Sequence, residues 1–442
     1  MIEHREALSR SPDRRVALDC LVAGVRSGDP ETVHEASITV SGGILTVNET
    51  PYELSRWDRE LVVGAGKAAG RQARAIEGLL GDRIDRGIVI STEQVTCNRI
   101  EVRQGDHPIP SDRNVSATRE IRDLLDTADE RTLVIALISG GGSALLVDPA
   151  EPVALDELRS VTTSLLESGA AIDEINAVRK HLSRIKGGGL ARIASPATVV
   201  AVLMSDVVGD DPATIASGPT VADETTYADA QSVLERYGID PPTGVRQRLT
   251  AGTAGELPET LSRGHPALSR TDTHIVASGM TTVLAAADAA HHHGYKPLVL
   301  STRVRGEARH AAEFHRDVAA EVMASGHPVS PPAVLLSGGE TTVHVVGDGH
   351  GGPNQEFALA AAIDCHPGMT VASIDTDGID GSGPAAGGVV DVETVEDPEQ
   401  AHAALANNDA YTYLADRDDA IVTGKTGTNL NDLRVIVIAD PD

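Results

Sequence analysis

Lys67 stands in the stretch VVGAGKAAGRQARA (Val62–Ala75), between two glycines and an alanine-rich segment of helical character. It is one of five lysines in 442 residues; the others are Lys180, Lys186, Lys296 and Lys425. A lysine on the first turn of a helix aims a compact, mobile charge at an anion. Glycines between a strand and a helix let main-chain N–H groups approach phosphate or carboxylate oxygens, and the helix N-terminus adds its positive end. Four such clusters follow apolar runs: Gly64-Ala65-Gly66, Gly140-Gly141-Gly142, Gly338-Gly339 and Asp377-Gly378. Phosphate or carboxylate binding is the chemistry they share.

Acidic residues supply the complementary half of such chemistry. Asp206 follows the apolar run Thr198–Met204 in SDVVGDD, and a carboxylate there can hold Mg²⁺ or accept a hydroxyl proton. One or both of Asp210 and Asp211 are expected merely to cap a turn. Asp375-Thr376-Asp377-Gly378-Ile379-Asp380-Gly381 misses the EF-hand spacing and fits a Mg²⁺–nucleotide or polar contact better. His107, in the proline loop Gly105–Pro110, faces a ligand or caps the next helix.

The familiar nucleotide motifs are incomplete. Gly424-Lys425-Thr426 ends like a phosphate-binding P-loop, but Asp419 occupies the place of its first glycine. Gly64-x-Gly66-x-x-x-Gly70 approaches a dinucleotide fingerprint, yet Lys67 would crowd a pyrophosphate and Glu93 arrives late for a ribose contact. In INAVRKHLSRIKGGGLAR, helical spacing gives an apolar stripe of Ile175, Val178, Leu182 and Ile185. Beside it runs a polar stripe of Asn176, Arg179, Ser183 and Lys186, and the helix is expected to stop at Gly187–Gly189.

The elements that must carry these residues alternate. Strands are expected at 37–40, 44–47, 60–64, 87–90, 132–138 and 198–204. Helices are expected at 13–25, 67–80, 111–126, 154–168 and 172–186. The Pro- and Gly-rich segment 241–266 reads as a domain junction. Beyond it come strands at 273–277, 297–300, 333–336, 342–346, 370–374, 389–390, 420–423 and 435–438, with helices at 281–293, 307–324 and 355–364. This is an α/β chain of two domains, residues 1–265 and 266–442, too long for one core.

Composition narrows the function. Asp plus Glu is 65 against 37 for Lys plus Arg, a formal charge of −28, and aromatics make up 2%. Such a surface repels nucleic acid and anionic lipid and offers few stacking platforms. Acid excess with lysine depletion suits a high-salt, halophilic setting. Cys20, Cys97 and Cys365 form no metal or disulfide pattern. No apolar run approaches a membrane span, and a cytoplasmic monomer or homodimer acting on a small molecule is expected.

The succession GAGKAA, GDHPIPS, SGGGSALL, INAVRKHLSRIKGGGLA, SDVVGDDPATIASGPT, SGGETTV, GGPNQEFALA, DTDGIDGSGPAAGG, LANNDAY and TGKTGTNLNDLRV resembles the glycerate 2-kinase family. The C-terminal half is similar to that family's MOFRL module. The resemblance implies ATP-dependent phosphorylation of D-glycerate at its C2 hydroxyl, with Mg²⁺. It also implies a Rossmann-like parallel-sheet N-terminal domain, a smaller mixed α/β C-terminal domain and a site in the cleft between them. Lys67 matches the family's active-site lysine and Asp206 its aspartate after the central strand; Asp206 is left as hydroxyl orienter, proton acceptor or metal anchor. Some members of the family are called hydroxypyruvate reductases, so an NAD(P)H-dependent reductase is the alternative.

Residue chemistry and resemblance together assign glycerate contacts to His107, Ser139, Arg179, Lys180 and Asn354. They assign nucleotide contacts to Gly140, Gly141, Gly142, Ser143, Gly338, Gly339, Glu340 and Asp377, and Mg²⁺ to Asp206 and Asp375. One departure stands out. His350 and Pro353 in GHGGPNQE replace arginines of the family's GRGGRNQE, leaving Arg179 and Lys180 as candidate substitutes.

Overall fold

Apolar β-branched runs separated by glycine turns become two six-stranded sheets, one in each of two units. The computed structural model describes residues 1–440. One unit is Val33–Val276; the other joins Met1–Thr32 to the segment from Ala277 onward.

The Val33–Val276 unit opens with three short antiparallel strands, β1 (Ile38–Ser41), β2 (Ile44–Val47) and β3 (Thr50–Glu53). Gly42 and Gly43, at φ 58° and 80°, make the tight turn that two-residue hairpins require. The main sheet follows: β4 (Arg59–Ala65), β5 (Ile84–Ser91), β6 (Ile100–Gln104), β7 (Thr132–Ile138), β8 (Thr198–Met204) and β9 (Thr271–Ala277), in the order β6-β5-β4-β7-β8-β9. The pairings from β6 through β8 are all parallel. Every residue of β7 is buried, as expected of a parallel strand covered on both faces. Ile121, Leu125, Leu190 and Ala194, from helices Asp112–Leu125 and Gly189–Ala194, pack with Val134, Ala136 and Ile138 of β7 in one core.

The second unit holds β10 (Lys296–Val304), β11 (Ala333–Gly339), β12 (Met369–Asp375), β13 (Gly387–Asp391), β14 (Ala420–Ile421) and β15 (Asp432–Ile438), ordered β10-β11-β15-β12-β13-β14. Only β10 and β11 pair in parallel, so this sheet is mixed. Helix Pro353–Ile363 is buried from Asn354 through Ala362, and its alanines let it pack on all sides.

Four expectations give way. The division falls at Val276 rather than at 265, and the first 32 residues belong with the C-terminal sheet. The cause lies in helix Pro12–Ser27: Arg14 is fully buried against Asp391 and Asp419, and a Cβ on Gly24 would lie 2.3 Å from Leu433 Cδ2. The segment 241–266 contains helix Thr243–Thr253, not only linker. Residues 342–346 form no strand; Val345 and Val346 are exposed. β6 adds a strand whose polar residues (IEVRQ) give no apolar run in the sequence.

Candidate active site

The chain leaves β4 toward β5 on one side and β7 toward β8 on the other. At such a switch in strand order, the carboxyl ends of the two strands border a crevice that ligands can enter. β4 delivers Gly66-Lys67-Ala68 to that crevice, and β7 delivers Ser139–Ser143.

The two turns lock together. Ser139 N–H donates to Ala65 O (3.2 Å), Lys67 N–H to Gly140 O (2.8 Å) and Ala68 N–H to Ser139 Oγ (3.1 Å). Gly66 N–H donates to Ile90 O (3.1 Å), and Ser91 Oγ to Lys67 O (2.9 Å). A Cβ on Gly66 would lie 2.0 Å from Ser139 Oγ, at φ 151°, so only glycine allows the turns to touch. The amides of residues 66–68 are therefore committed within the chain, and this first glycine cluster is a lock rather than an anion cradle. Ser139, 2% exposed, is part of that lock.

The second cluster differs. Gly140 and Gly141 N–H groups donate to no acceptor among the described residues. A Cβ on Gly141 (φ 79°) would meet His107 Cδ2 at 3.0 Å and Lys67 Cγ at 3.2 Å, so the imidazole and the lysine stem flank this glycine. Asn114 fixes the His107 loop: its Nδ2 donates to Asp106 O and Ala144 O, both at 2.9 Å. Burial, and then the Lys67 charge, hold His107 below the usual histidine value. Asp206, two residues beyond β8, feels the same ammonium. Burial raises its pKa while its own backbone N–H and Lys67 pull it down.

Helix Ile172–His181 stops five residues earlier than its stripes suggest. Leu182 leaves the helix, Arg184 N–H donates to Asp148 O (2.9 Å), and Ser183 pairs with Pro149. The turn redirects Lys186, whose Nζ donates to Ser143 O (2.8 Å) and Leu146 O (3.1 Å). Burial, with Arg179 close by, pushes Lys186 down to about 7. Arg179 makes no hydrogen bond or ion pair with the described residues, and burial lowers its pKa. His107, Gly141, Ser143, Arg179 and Lys186 line a cavity of about 350 Å³ together with the apolar Ile109, Val147, Leu158 and Leu166.

Ser217, fully buried, backs Ser143 from behind the cavity lining. Its hydroxyl is 2.9 Å from Ser143 Oγ and donates to Asn176 Oδ1 (2.9 Å). Ala216 and Ser217 both hold positive φ, 50° and 62°, a strain that clusters at functional sites. Nothing in the sequence marked Ser217 beyond its place in IASGPT; glycine and proline there explain the turn but not the hydroxyl. Of the paired aspartates, Asp211 caps its turn through Ala213 N–H and Thr214 Oγ1.

Comparison with known proteins gives the family. A model described as a domain of unknown function (DUF4147) matches residues 16–250, and the MOFRL family model matches residues 333–432. The D-glycerate 2-kinase of Thermotoga maritima is 38% identical over 93% of this chain and 99% of its own. The chain belongs to the glycerate 2-kinase family. A crystal structure of the T. maritima glycerate kinase superposes with a TM-score of 0.85 at 36% identity, covering 96% of this chain and 99% of that one. A protein of Agrobacterium vitis named provisionally as a hydroxypyruvate reductase is 41% identical over 96% of this chain and 94% of its own.

Within this family member, several expected ligand residues are occupied elsewhere. Lys180 is buried in an ion pair with Asp223 (3.1 Å) and lines no part of the cavity. Asn354, 1% exposed, donates to Asp432 Oδ1 (2.7 Å) and Asp380 Oδ1 (3.2 Å) and accepts from Ser373 Oγ (2.5 Å), so it knits its own unit. Gly338 and Gly339 lie inside β11, and Gly339 is pressed on β10, where a Cβ would sit 2.2 Å from Val304 O. Glu340 N–H donates to that same carbonyl (2.9 Å), leaving no open amide run there.

Asp375 accepts from Asp377 N–H, and Asp377 from Ile379 N–H, both at 2.9 Å. Burial, then the charges of Asp377 and Asp432, raise Asp375 well above an ordinary carboxyl. Pro353 is the first residue of its helix, where a missing N–H costs nothing, and His350 N–H donates to Asp409.

Proposed function

We propose that this chain transfers the γ-phosphoryl group of ATP to the C2 hydroxyl of D-glycerate, releasing 2-phosphoglycerate and ADP. The observation that carries the reading is the convergence of Lys67 and His107 beside Gly141, with Asp206 in the field of Lys67. Phosphoryl transfer asks mainly for positioning and for charge at the equatorial oxygens. Lys67 supplies that charge, and the amides of Gly140 and Gly141 add donors fixed before the reaction begins. Asp206 orients the C2 hydroxyl and receives its proton late; burial raises its pKa above that of an ordinary carboxyl, which favours proton acceptance. Arg179, which has no hydrogen-bond or ion-pair partner among the described residues, is the cation proposed for the glycerate carboxylate. It stands in for the arginines replaced by His350 and Pro353.

Mg²⁺ would arrive with the nucleotide. Among the described residues no three His, Cys, Asp or Glu side chains gather as a ligand set. That suits an ion held mostly by phosphates and water with one or two carboxylates, here Asp206. Bound there, Mg²⁺ would neutralise phosphate charge. No described helix is long and apolar enough to cross a membrane, and the acid excess supports work in a salt-rich cytoplasm.

The reductase alternative finds less support, because the amides of residues 66–68 are engaged within the chain. Phosphorus NMR of a mixture with ATP, Mg²⁺ and D-glycerate tests both readings. The 2-phosphate resonance with ADP is expected. A 3-phosphate product overturns the acceptor position, and NAD(P)H consumption with hydroxypyruvate in place of ADP release overturns the kinase.

A further inference from the structure

Ser143 lies among glycines whose sequence suggests donors for phosphate oxygens, but the hydrogen bonds around it give its hydroxyl the opposite polarity. Ser217 has one hydroxyl proton, and it goes to Asn176 Oδ1 at 2.9 Å. The contact between Ser143 Oγ and Ser217 Oγ, also 2.9 Å, must then use the proton of Ser143. What Ser143 presents to the cavity is lone pairs, so it cannot donate to an anion and accepts from a ligand that carries a proton.

The relay is held rigidly. Asn176 and Ser217 are buried, and Ser217 sits in a left-handed run from Ala216 to Gly218. The main chain of Ser143 is fixed by Lys186, whose Nζ donates to Ser143 O. Arg179, which lines the same cavity, answers negative charge, while Lys186 Nζ is spent on the Ser143 and Leu146 carbonyls, so the neutral acceptor beside them is suited to a hydroxyl group.

Resting on the kinase reading above, we infer that Ser143 is a specificity-determining residue that accepts a hydrogen bond from the C3 hydroxyl of the acid substrate. It would thereby select 2,3-dihydroxy acids over 2-hydroxy acids that lack the second hydroxyl. The C2 hydroxyl is assigned to Asp206, which leaves the C3 hydroxyl as the donor for Ser143. A site built to pair with a substrate hydroxyl disfavours the analogue without it, because the buried partner is left unmatched.

The test compares the wild-type enzyme with Ser143→Ala in three measurements: KM for D-glycerate, the inhibition constant of D-lactate against D-glycerate, and KM for ATP. D-Lactate keeps the C2 hydroxyl and lacks the C3 hydroxyl. In the variant, KM for D-glycerate should rise about five- to tenfold, the size of one lost neutral hydrogen bond. The D-lactate constant and KM for ATP should change less than about twofold on the same scale.

Equal weakening of both acids overturns the inference, since Ser143 would then serve the shared part of the molecule or the fold. A rise confined to ATP overturns it as well, by moving the residue to the nucleotide. If the alanine variant melts early, Ser143→Thr, which keeps the hydroxyl, should preserve the preference for D-glycerate over D-lactate, and its loss again overturns the inference. Absence of turnover with D-glycerate in the wild type refutes the kinase reading instead, which keeps the two failures apart.

Discussion

Two lysines of similar sequence appeal have opposite physical roles. Lys67 flanks the open amides of Gly141, whereas Lys180 is buried against Asp223. Lys67→Ala should fold normally and lower kcat by about 3–4 kcal/mol of barrier, as for one preorganised donor. Turnover at saturating ATP and D-glycerate is the measurement. Lys180→Ala leaves Asp223 buried and unpaired, so its cost should appear as about 3–5 kcal/mol of unfolding free energy, read by denaturant titration.

Lys186 makes a pH prediction. Its pKa falls from the usual 10.5 to about 7 on folding, because burial and Arg179 disfavour the charge. Between those values the unfolded chain binds the extra proton, so this residue makes stability rise with pH from about 7 upward. Thermal melts of Lys186→Met should lose that rise, and an unchanged pH profile would contradict the assignment.

At the scale of elements, the site depends on how closely β4 and β7 bring their turns. The contact between Gly66 and Ser139 admits no side chain, as the 2.0 Å approach shows. Gly66→Ala therefore has to separate the turns that present Lys67 and Gly140. We expect a loss of at least about 2 kcal/mol in stability together with the activity, because a methyl in that conformation is strained even before the clash. Thermal unfolding and turnover measured side by side check it; a normal melt with full activity would show that the turns tolerate separation. The strands here were plain from their apolar runs. The early end of helix Ile172–His181 was not, because the stripe of Leu182 and Ile185 continues the helical period while the chain has already turned to pair with residues 148 and 149.

For the whole molecule, the formal charge of −28 dominates behaviour in dilute solution. Repulsion among surface carboxylates opposes folding, and salt screens it over a Debye length of about 10 Å at 0.1 M and about 3 Å at 1 M. The melting temperature should rise steeply between low and molar KCl. A melting temperature independent of salt would mean that the acidic surface is not under strain.

Local order along the chain was enough to establish the α/β class, the parallel strands and the family, because periodicity, turn residues and motif succession are carried by neighbouring residues. Tertiary structure decided which of the marked groups remain open to a ligand. Gly66, Ser139, Lys180, Gly339 and Asn354 carried the right chemistry in sequence and are turned inward by partners distant along the chain. Ser217, which bore no signal, arrives beside Ser143 from 74 residues away. A side chain's type can be read from the sequence, but whether its hydrogen-bonding capacity is already satisfied depends on contacts that form only when the sheet closes.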